Sequence, residues 1–177
     1  MRAVFTTAIR YKVNAVCETP LRTGGAAGNT ESVLRDSFGN AFLQGSSLAG
    51  ALRNWLENNG EQKTAKALFC SQEHEGRLIV SDAVLRADAE QAIRPRLRID
   101  EKNGTAADKG KFDVAHIVSG SQLDFELTWL GNGRDDEEIM TVERMLGAVN
   151  SGEIRLGAQK SNGFGRLTLC VRKRSYD

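Results

Sequence analysis

Residues 9–17, which read IRYKVNAVC, decide the fold class of this chain of 177 residues. Apolar and polar side chains alternate along this stretch, and Pro20 follows it. A period of two with one polar face predicts a half-buried β-strand. Residues 123–129, LDFELTW, alternate in the same way. The chain therefore builds a sheet with one face on the core and the other face open.

Two helices are predicted around these strands. Leu48, Leu52 and Leu56 recur at helical spacing after Ser46 or Ser47, either of which could act as the N-cap. Residues 135–150 predict a second helix, with acids in the first turn, where the helix dipole favours them. A short helical piece at 65–69, a strand at 76–84 and a final strand complete the pattern. The final strand comprises residues 154–157 and 167–171, with a glycine-rich loop between them.

The order strand, helix, strand, strand, helix, strand predicts an α+β fold. It is the ferredoxin-like (RNA-recognition-like) βαββαβ arrangement, in a single domain over 1–177. Residues from about 86 to 120 are polar and contain the turn pair Asn103-Gly104. We interpret them as an inserted β-hairpin. Three arginines alternate along it: Arg94, Arg96 and Arg98.

Composition restricts the function classes. Lys plus Arg total 24 against 23 for Asp plus Glu, which excludes a uniformly basic nucleic-acid protein. Acids dominate residues 122–151 and bases dominate residues 152–177, which indicates either an acidic and a basic face or two ordinary solvated surfaces. Three well-separated cysteines exclude a disulfide scaffold and a four-cysteine zinc site. No apolar run is long enough to cross a membrane and no signal-peptide core is present, so we expect a cytoplasmic protein without a membrane partner.

Two stretches could bind phosphate. Residues 157–167, GAQKSNGFGRL, could bring backbone amides and a lysine close to an anion, or could form a β-bulge or wide hairpin. Residues 45–53, GSSLAGALR, could place a helix N-terminus and two hydroxyls on a phosphate, or could cap an ordinary helix. The candidate RNA-binding residues are Gly45, Ser46, Ser47, Arg53, Gly157, Lys160, Ser161, Asn162, Gly163, Phe164 and Gly165.

With residues 45–53 in the first half of the chain and residues 157–167 near its end, the two stretches resemble the RAMP superfamily of CRISPR-associated proteins. The resemblance is strongest to the backbone subunits of type III RNA-guided effector complexes. Residues 19–24 (TPLRTG), 68–69 (LF) and 76–83 (GRLIVSDA) occupy matching places. The resemblance implies a crRNA-binding subunit whose copies stack head to tail along the guide, with target RNA and other effector subunits as partners. It also implies that the insertion is a thumb, and Arg94, Arg96 and Arg98 belong to it.

Catalysis is where the sequence departs from the family pattern. Slicing relatives carry an aspartate in the loop after the first strand, and alignment on Asp36 puts Thr30 at that position. Threonine cannot replace a carboxylate as general base or metal ligand. We therefore expect a binding subunit that does not slice and needs no cofactor. The alternative is a Mg²⁺-dependent endoribonuclease that uses Glu31 or Asp36, so the catalytic residues stay unassigned.

Other features carry less weight. Cys70 and His74 have a spacing that suits zinc, but the sequence offers no second ligand pair near them. Trp55 and Trp129 fall on core-facing positions, so both are assigned to packing. A general binder of single-stranded RNA is a third alternative, although the aromatic strand signature of RNA-recognition domains is absent from the sequence.

Overall fold

A computed structural model describes residues 5–24, 33–69, 75–86, 91–99, 106–158 and 160–176, with backbone alone for 96–99 and 106–112. Its strands are β1 (Thr7–Cys17), β2 (Phe42–Leu43), β3 (Leu78–Val80), β4 (Ala83–Leu85), β5 (Gln91–Ile99), β6 (Ala106–Ile117), β7 (Gln122–Gly131) and β8 (Leu167–Tyr176). The helices in the described residues are α1 (Gly45–Asn58), α2 (Gln62–Leu68) and α3 (Asp136–Ser151), and a 3₁₀ turn spans Lys160–Asn162.

The main sheet has the strand order β2-β4-β7-β1-β8, and β3 also pairs with β7. All of these pairings are antiparallel. The central strand β1 places Val13 opposite Phe125 on β7 and opposite Val171 on β8. The alternation predicted from residues 9–17 is observed, because every odd-numbered β1 side chain is buried. The expectation of a protein that combines helices with a β-sheet is confirmed, and the sheet is antiparallel.

Helices α1 and α3 pack into the same core as the buried face of β1. Asp135 caps α3 by accepting a hydrogen bond from the Glu138 amide, and Gly152 ends the helix in the left-handed conformation. Trp129 is fully buried, and its indole Nε1 donates to Glu138 over 2.8 Å. The assignment of Trp129 to packing is therefore correct. None of the helices in the described ranges is both long and apolar enough for a membrane span.

The open face of the main sheet carries a block of positive charge. Lys12 on β1 lies opposite Arg172 on β8, and Arg10 lies opposite Arg174. Arg10 is compensated by Glu126, 3.0 Å away on the neighbouring strand. Lys12 also lies opposite Glu126 on β7, so repulsion between the bases of β1 and β8 is partly offset by an acid on the neighbouring strand.

The final strand is shorter than the sequence predicts. Residues 154–157 are not a strand, although Ile154 and Leu156 are buried. The Ile154 amide donates to the Ala148 carbonyl at the end of α3, and the Leu156 amide donates to the Gly165 carbonyl. These bonds hold the segment beside the glycine-rich loop, and β8 begins only at Leu167.

Strands β5 and β6 form a separate two-stranded antiparallel sheet within the predicted insertion. Their pairing runs from Gln91 opposite Ile117 to Ile99 opposite Ala106. The turn pair Asn103-Gly104 lies outside the described residues. The C-terminal end of β6, residues 114–117, is buried in the protein core, whereas Asp113 is exposed. The hairpin is therefore rooted in the core at one end.

Candidate nucleic-acid interface

Three segments far apart in the sequence meet at the root of the hairpin. They are residues 20–23, residues 115–117 and the described residues 156–158 and 160–165, and we call their meeting point the junction. The Leu21 amide donates to the Ile117 carbonyl over 3.0 Å, and the Ile117 amide donates back over 2.8 Å. Buried Arg22 adds a bond from Nη1 to the Ala115 carbonyl. The exit from β1 is thus fixed to the end of β6.

The glycine-rich loop is tied to the same junction at both of its ends. The Ala158 amide donates to the Arg22 carbonyl over 3.0 Å, and the Gly165 amide donates to the Pro20 carbonyl over 2.9 Å. A Cβ on Gly157 would lie 2.3 Å from the Arg22 oxygen. The loop therefore closes on backbone contacts that leave no space for a side chain at its base.

The middle of this loop faces solvent instead. Lys160, Ser161 and Asn162 form a single exposed 3₁₀ turn, and the Gly163 amide donates to the Lys160 carbonyl. Gly163 has a φ of 85°, and no atom lies within 4 Å of a Cβ built on it. These four candidates are together and accessible, as phosphate binding by backbone amides requires.

Phe164 is placed differently from these exposed candidates. It is only 1% exposed, and its ring centre lies 5.5 Å from that of buried His116 on β6. The Arg94 guanidinium lies 5.2 Å from the same ring centre, in cation–π geometry. A buried ring cannot stack on a base, so Phe164 connects the loop to the hairpin. Arg96 and Arg98 lie on the same strand as Arg94, but their side chains are outside the described residues.

The start of α1 corrects a second prediction. The helix begins at Gly45 after Gln44, so Ser46 and Ser47 lie in the first turn and neither is the N-cap. Asp82 accepts from the Gly45 amide over 2.7 Å and supplies the missing cap. Both serines are exposed. A phosphate at this helix terminus would therefore share it with a carboxylate.

Removing this cap tests the assignment. Asp82→Ala is expected to lower the free energy of unfolding by about 1 kcal/mol, because the Gly45 amide loses its charged acceptor. Urea denaturation followed by circular dichroism measures the effect. Asp113→Ala removes an exposed aspartate on β6 and serves as the matched control. Equal midpoints for the two variants would contradict the capping role.

Arg53 lies further along α1, where its Nε is 2.8 Å from Glu57, one helical turn away. Both side chains are more than a third exposed, and such a surface pair contributes little stability. Arg53 can therefore exchange its carboxylate partner for a phosphate at small cost.

Asp36 has a structural role in the loop before β2. Its carboxylate accepts from the amides of Phe38 and Asn40 and from the Asn40 side chain. Desolvation raises its pKa, but these hydrogen bonds outweigh that effect and leave the pKa of Asp36 below its ordinary value. A carboxylate held in this way is a poor general base. Thr30, Glu31, Cys70 and His74 lie outside the described residues. Within the described ranges, no three His, Cys, Asp or Glu side chains are grouped closely enough to hold a metal ion.

Comparison with known proteins agrees with this arrangement. The family model of the RAMP superfamily matches residues 14–168. The chain belongs to the RAMP superfamily. The matched range contains α1, the whole hairpin and the glycine-rich loop, so the RAMP assignment made from the motifs is confirmed.

The relatives of this RAMP protein include the CRISPR system Cms endoribonuclease Csm3 of Methanocaldococcus jannaschii. That protein is 25% identical over 200 residues, which cover 90% of this chain and 80% of the relative. Among solved structures, a chain of the type III-B Cmr-beta complex bound to cognate target RNA superposes with a TM-score of 0.72 at 15% identity. The match covers 96% of this RAMP chain and 61% of that one, and it establishes a shared fold.

Proposed function

We propose that this RAMP protein is a guide-RNA-binding backbone subunit of a type III CRISPR effector complex. Its partners would be crRNA, target RNA, other effector subunits and further copies of itself, stacked head to tail. The observation that carries the proposal is the junction, which fixes an exposed, lysine-bearing glycine loop to the root of a long β-hairpin. Similarity over most of the chain to Csm3, a protein of a CRISPR system, supports a place in such a system.

The glycine-rich loop suits the backbone of a guide whose sequence varies. The exposed turn Lys160–Asn162, followed by Gly163, offers backbone amides and one ammonium group but no exposed aromatic ring. Such a loop grips phosphates without reading bases, and sequence recognition is left to base pairing between guide and target.

The hairpin suits the role of a thumb. Its strands of 9 and 12 residues are long enough to extend roughly 30 Å from the junction. The contacts of Phe164 with His116 and Arg94 fix the orientation of the hairpin relative to the glycine-rich loop. The hairpin and the glycine-rich loop would then act as one unit that sets the spacing between successive copies along a guide. The strand order β8-β1-β7-β4 supports the proposed ferredoxin-like arrangement beneath it.

We further propose that the protein does not slice target RNA. Threonine at position 30 supports this proposal, as does the structural use of Asp36. The second candidate function is endoribonuclease activity at regular spacing, which needs Mg²⁺. The description of the relative Csm3 as an endoribonuclease favours it. In that case Glu31 would be the acid to examine first.

Salt and sequence dependence test the binding role. Because phosphate contacts dominate, RNA affinity should fall steeply with salt, with a slope of about −0.7 per contact in a log–log plot. Lys160→Gln should make that slope shallower by about 0.7. Fluorescence anisotropy with labelled RNAs of equal length and different sequence measures both effects.

Lys63→Gln, on the exposed surface of α2, is the matched control and should leave the slope unchanged. Different sequences should bind alike. A strong preference for one naked RNA sequence, or equal slopes for Lys160→Gln and the wild type, would contradict backbone binding through the loop.

A further inference from the structure

A polar cleft lies between α1 and the segment that follows α3. One wall is the α1 face that carries Asn54, Trp55 and Asn58, which recur at helical spacing. The other wall contains Arg155, and Lys160 of the glycine-rich loop also lines the cleft. The cleft has a volume of about 240 Å³ and opens to solvent. It thus continues the exposed loop surface onto the side of α1.

The positively charged groups in this cleft favour the binding of an anion. Arg155 Nη1 is shielded from solvent and finds no acceptor among the described residues. Glu153 also lines the cleft, where it accepts from the Trp55 indole over 3.3 Å and from the Ser151 hydroxyl over 3.0 Å. With Arg155 and Lys160, the charged residues of the lining therefore sum to +1. A shielded guanidinium N–H without an acceptor is unfavourable until an anion binds it. Exposed Lys160 supplies a second positive charge to the same anion.

The remaining lining suits a nucleoside. Trp55 is half-buried, packs on the core and is oriented by its bond to Glu153. The sequence assigns Trp55 to packing, and the structure shows that the same side chain also lines the open cleft. Asn54 and Asn58 flank it with amides that both donate and accept hydrogen bonds. An indole beside amides and paired cations fits the base, sugar and phosphate of one nucleotide.

We propose that this cleft binds one nucleotide of a single-stranded RNA, with its phosphate on Arg155 and Lys160 and its nucleoside against Trp55. The proposal rests on the RNA-binding function proposed above and deepens it. It adds Arg155 and the outer face of α1, which the sequence motifs do not assign, to the loop surface. Asn54 and Asn58, on either side of Trp55 in the sequence, are the sequence signal for this cleft.

Two titrations with a 12-residue oligouridine test the proposal. Anisotropy of a labelled strand measures binding, and tryptophan emission with the unlabelled strand measures contact with the cleft. Because Trp129 is fully buried, a change in emission reports Trp55. We expect emission to change with the same midpoint as the anisotropy. Arg155→Gln should weaken binding roughly tenfold and make the salt slope shallower by about 0.7.

Arg134→Gln removes an exposed arginine ahead of α3 and is the matched control, expected to bind like the wild type. Binding of the labelled strand with unchanged emission, and with wild-type affinity for Arg155→Gln, would overturn the cleft while leaving RNA binding intact. If neither the wild type nor Arg134→Gln binds the strand at low salt, the proposed function fails and the cleft fails with it. Should Arg155→Gln misfold, Arg155→Lys and the wild-type emission decide the question.

Discussion

Gly165→Val is expected to abolish stable folding. Gly165 is buried with a φ of 81°, a conformation that costs a β-branched residue about 1–3 kcal/mol. A Cβ at this position would lie 1.9 Å from the Leu156 carbonyl oxygen, and that backbone atom cannot rotate away. Relief of the clash would break the Gly165 bonds to Pro20 and Leu156 that close the junction. The combined loss should exceed about 4 kcal/mol, a large part of a typical domain's stability.

Gly163→Ala is the matched control for this substitution. Gly163 has a similar φ of 85° but open space around it, so the strain alone should cost about 1 kcal/mol. Thermal and urea unfolding of both variants measures the difference. A wild-type midpoint for Gly165→Val would contradict the packing of the junction. The folded Gly163→Ala variant also tests the loop, and its RNA affinity should fall because backbone must approach the phosphate there.

Thr30→Asp is expected to give an assembled complex that cuts matched target RNA. The wild-type complex is expected to cut that RNA very slowly or not at all. Cleavage through the RNA's own 2′-hydroxyl requires that this oxygen lose its proton and that the phosphate charge be neutralised. A carboxylate in the loop after the first strand could accept that proton or hold Mg²⁺, whose positive charge would neutralise the phosphate. General-base help is worth roughly 10²–10⁴-fold in rate. The cuts should need Mg²⁺ and recur at regular spacing. Denaturing gels of end-labelled target, with and without Mg²⁺, measure them.

Two further variants control this prediction. Thr30→Asn has a similar size without the charge and should stay inactive. Glu31→Ala in the wild-type background should change nothing. Regularly spaced cutting by the wild type that Glu31→Ala abolishes would show that the alignment of this loop is one residue off and that the protein is a nuclease.

The elements that the sequence predicts correctly are those with local signals. The alternation of β1 and the acid-rich first turn of α3 can be recognised without knowledge of the tertiary structure. The strand predicted over residues 154–157 is wrong, because Ile154 and Leu156 are typical strand residues whose amides nevertheless bond to the Ala148 and Gly165 carbonyls. Only the assembled chain reveals those partners.

The candidate site also contains features with a local sequence signal and features that depend on long-range contacts. Lys160 and Gly163 are exposed in the glycine-rich loop, for which the composition leaves a phosphate-binding loop and a β-bulge or wide hairpin equally open. In contrast, the cap of Gly45 comes from Asp82, 37 residues away, and the ring of Phe164 packs on His116 of the hairpin. The sequence motif treats Gly163 and Gly165 alike, but the structure separates an accessible glycine from a packed one. Long-range contacts of this kind leave no periodic pattern in the sequence.

Electron microscopy of the protein co-expressed with a repeat–spacer RNA tests the central claim most directly. If copies of this RAMP protein coat a guide, the particles should be elongated, with a regular repeat along the RNA. Spacers of increasing length should add whole repeats, so that particle length rises in equal steps. Isolated single copies on RNA, with no change in particle length as the spacer grows, would contradict the backbone role.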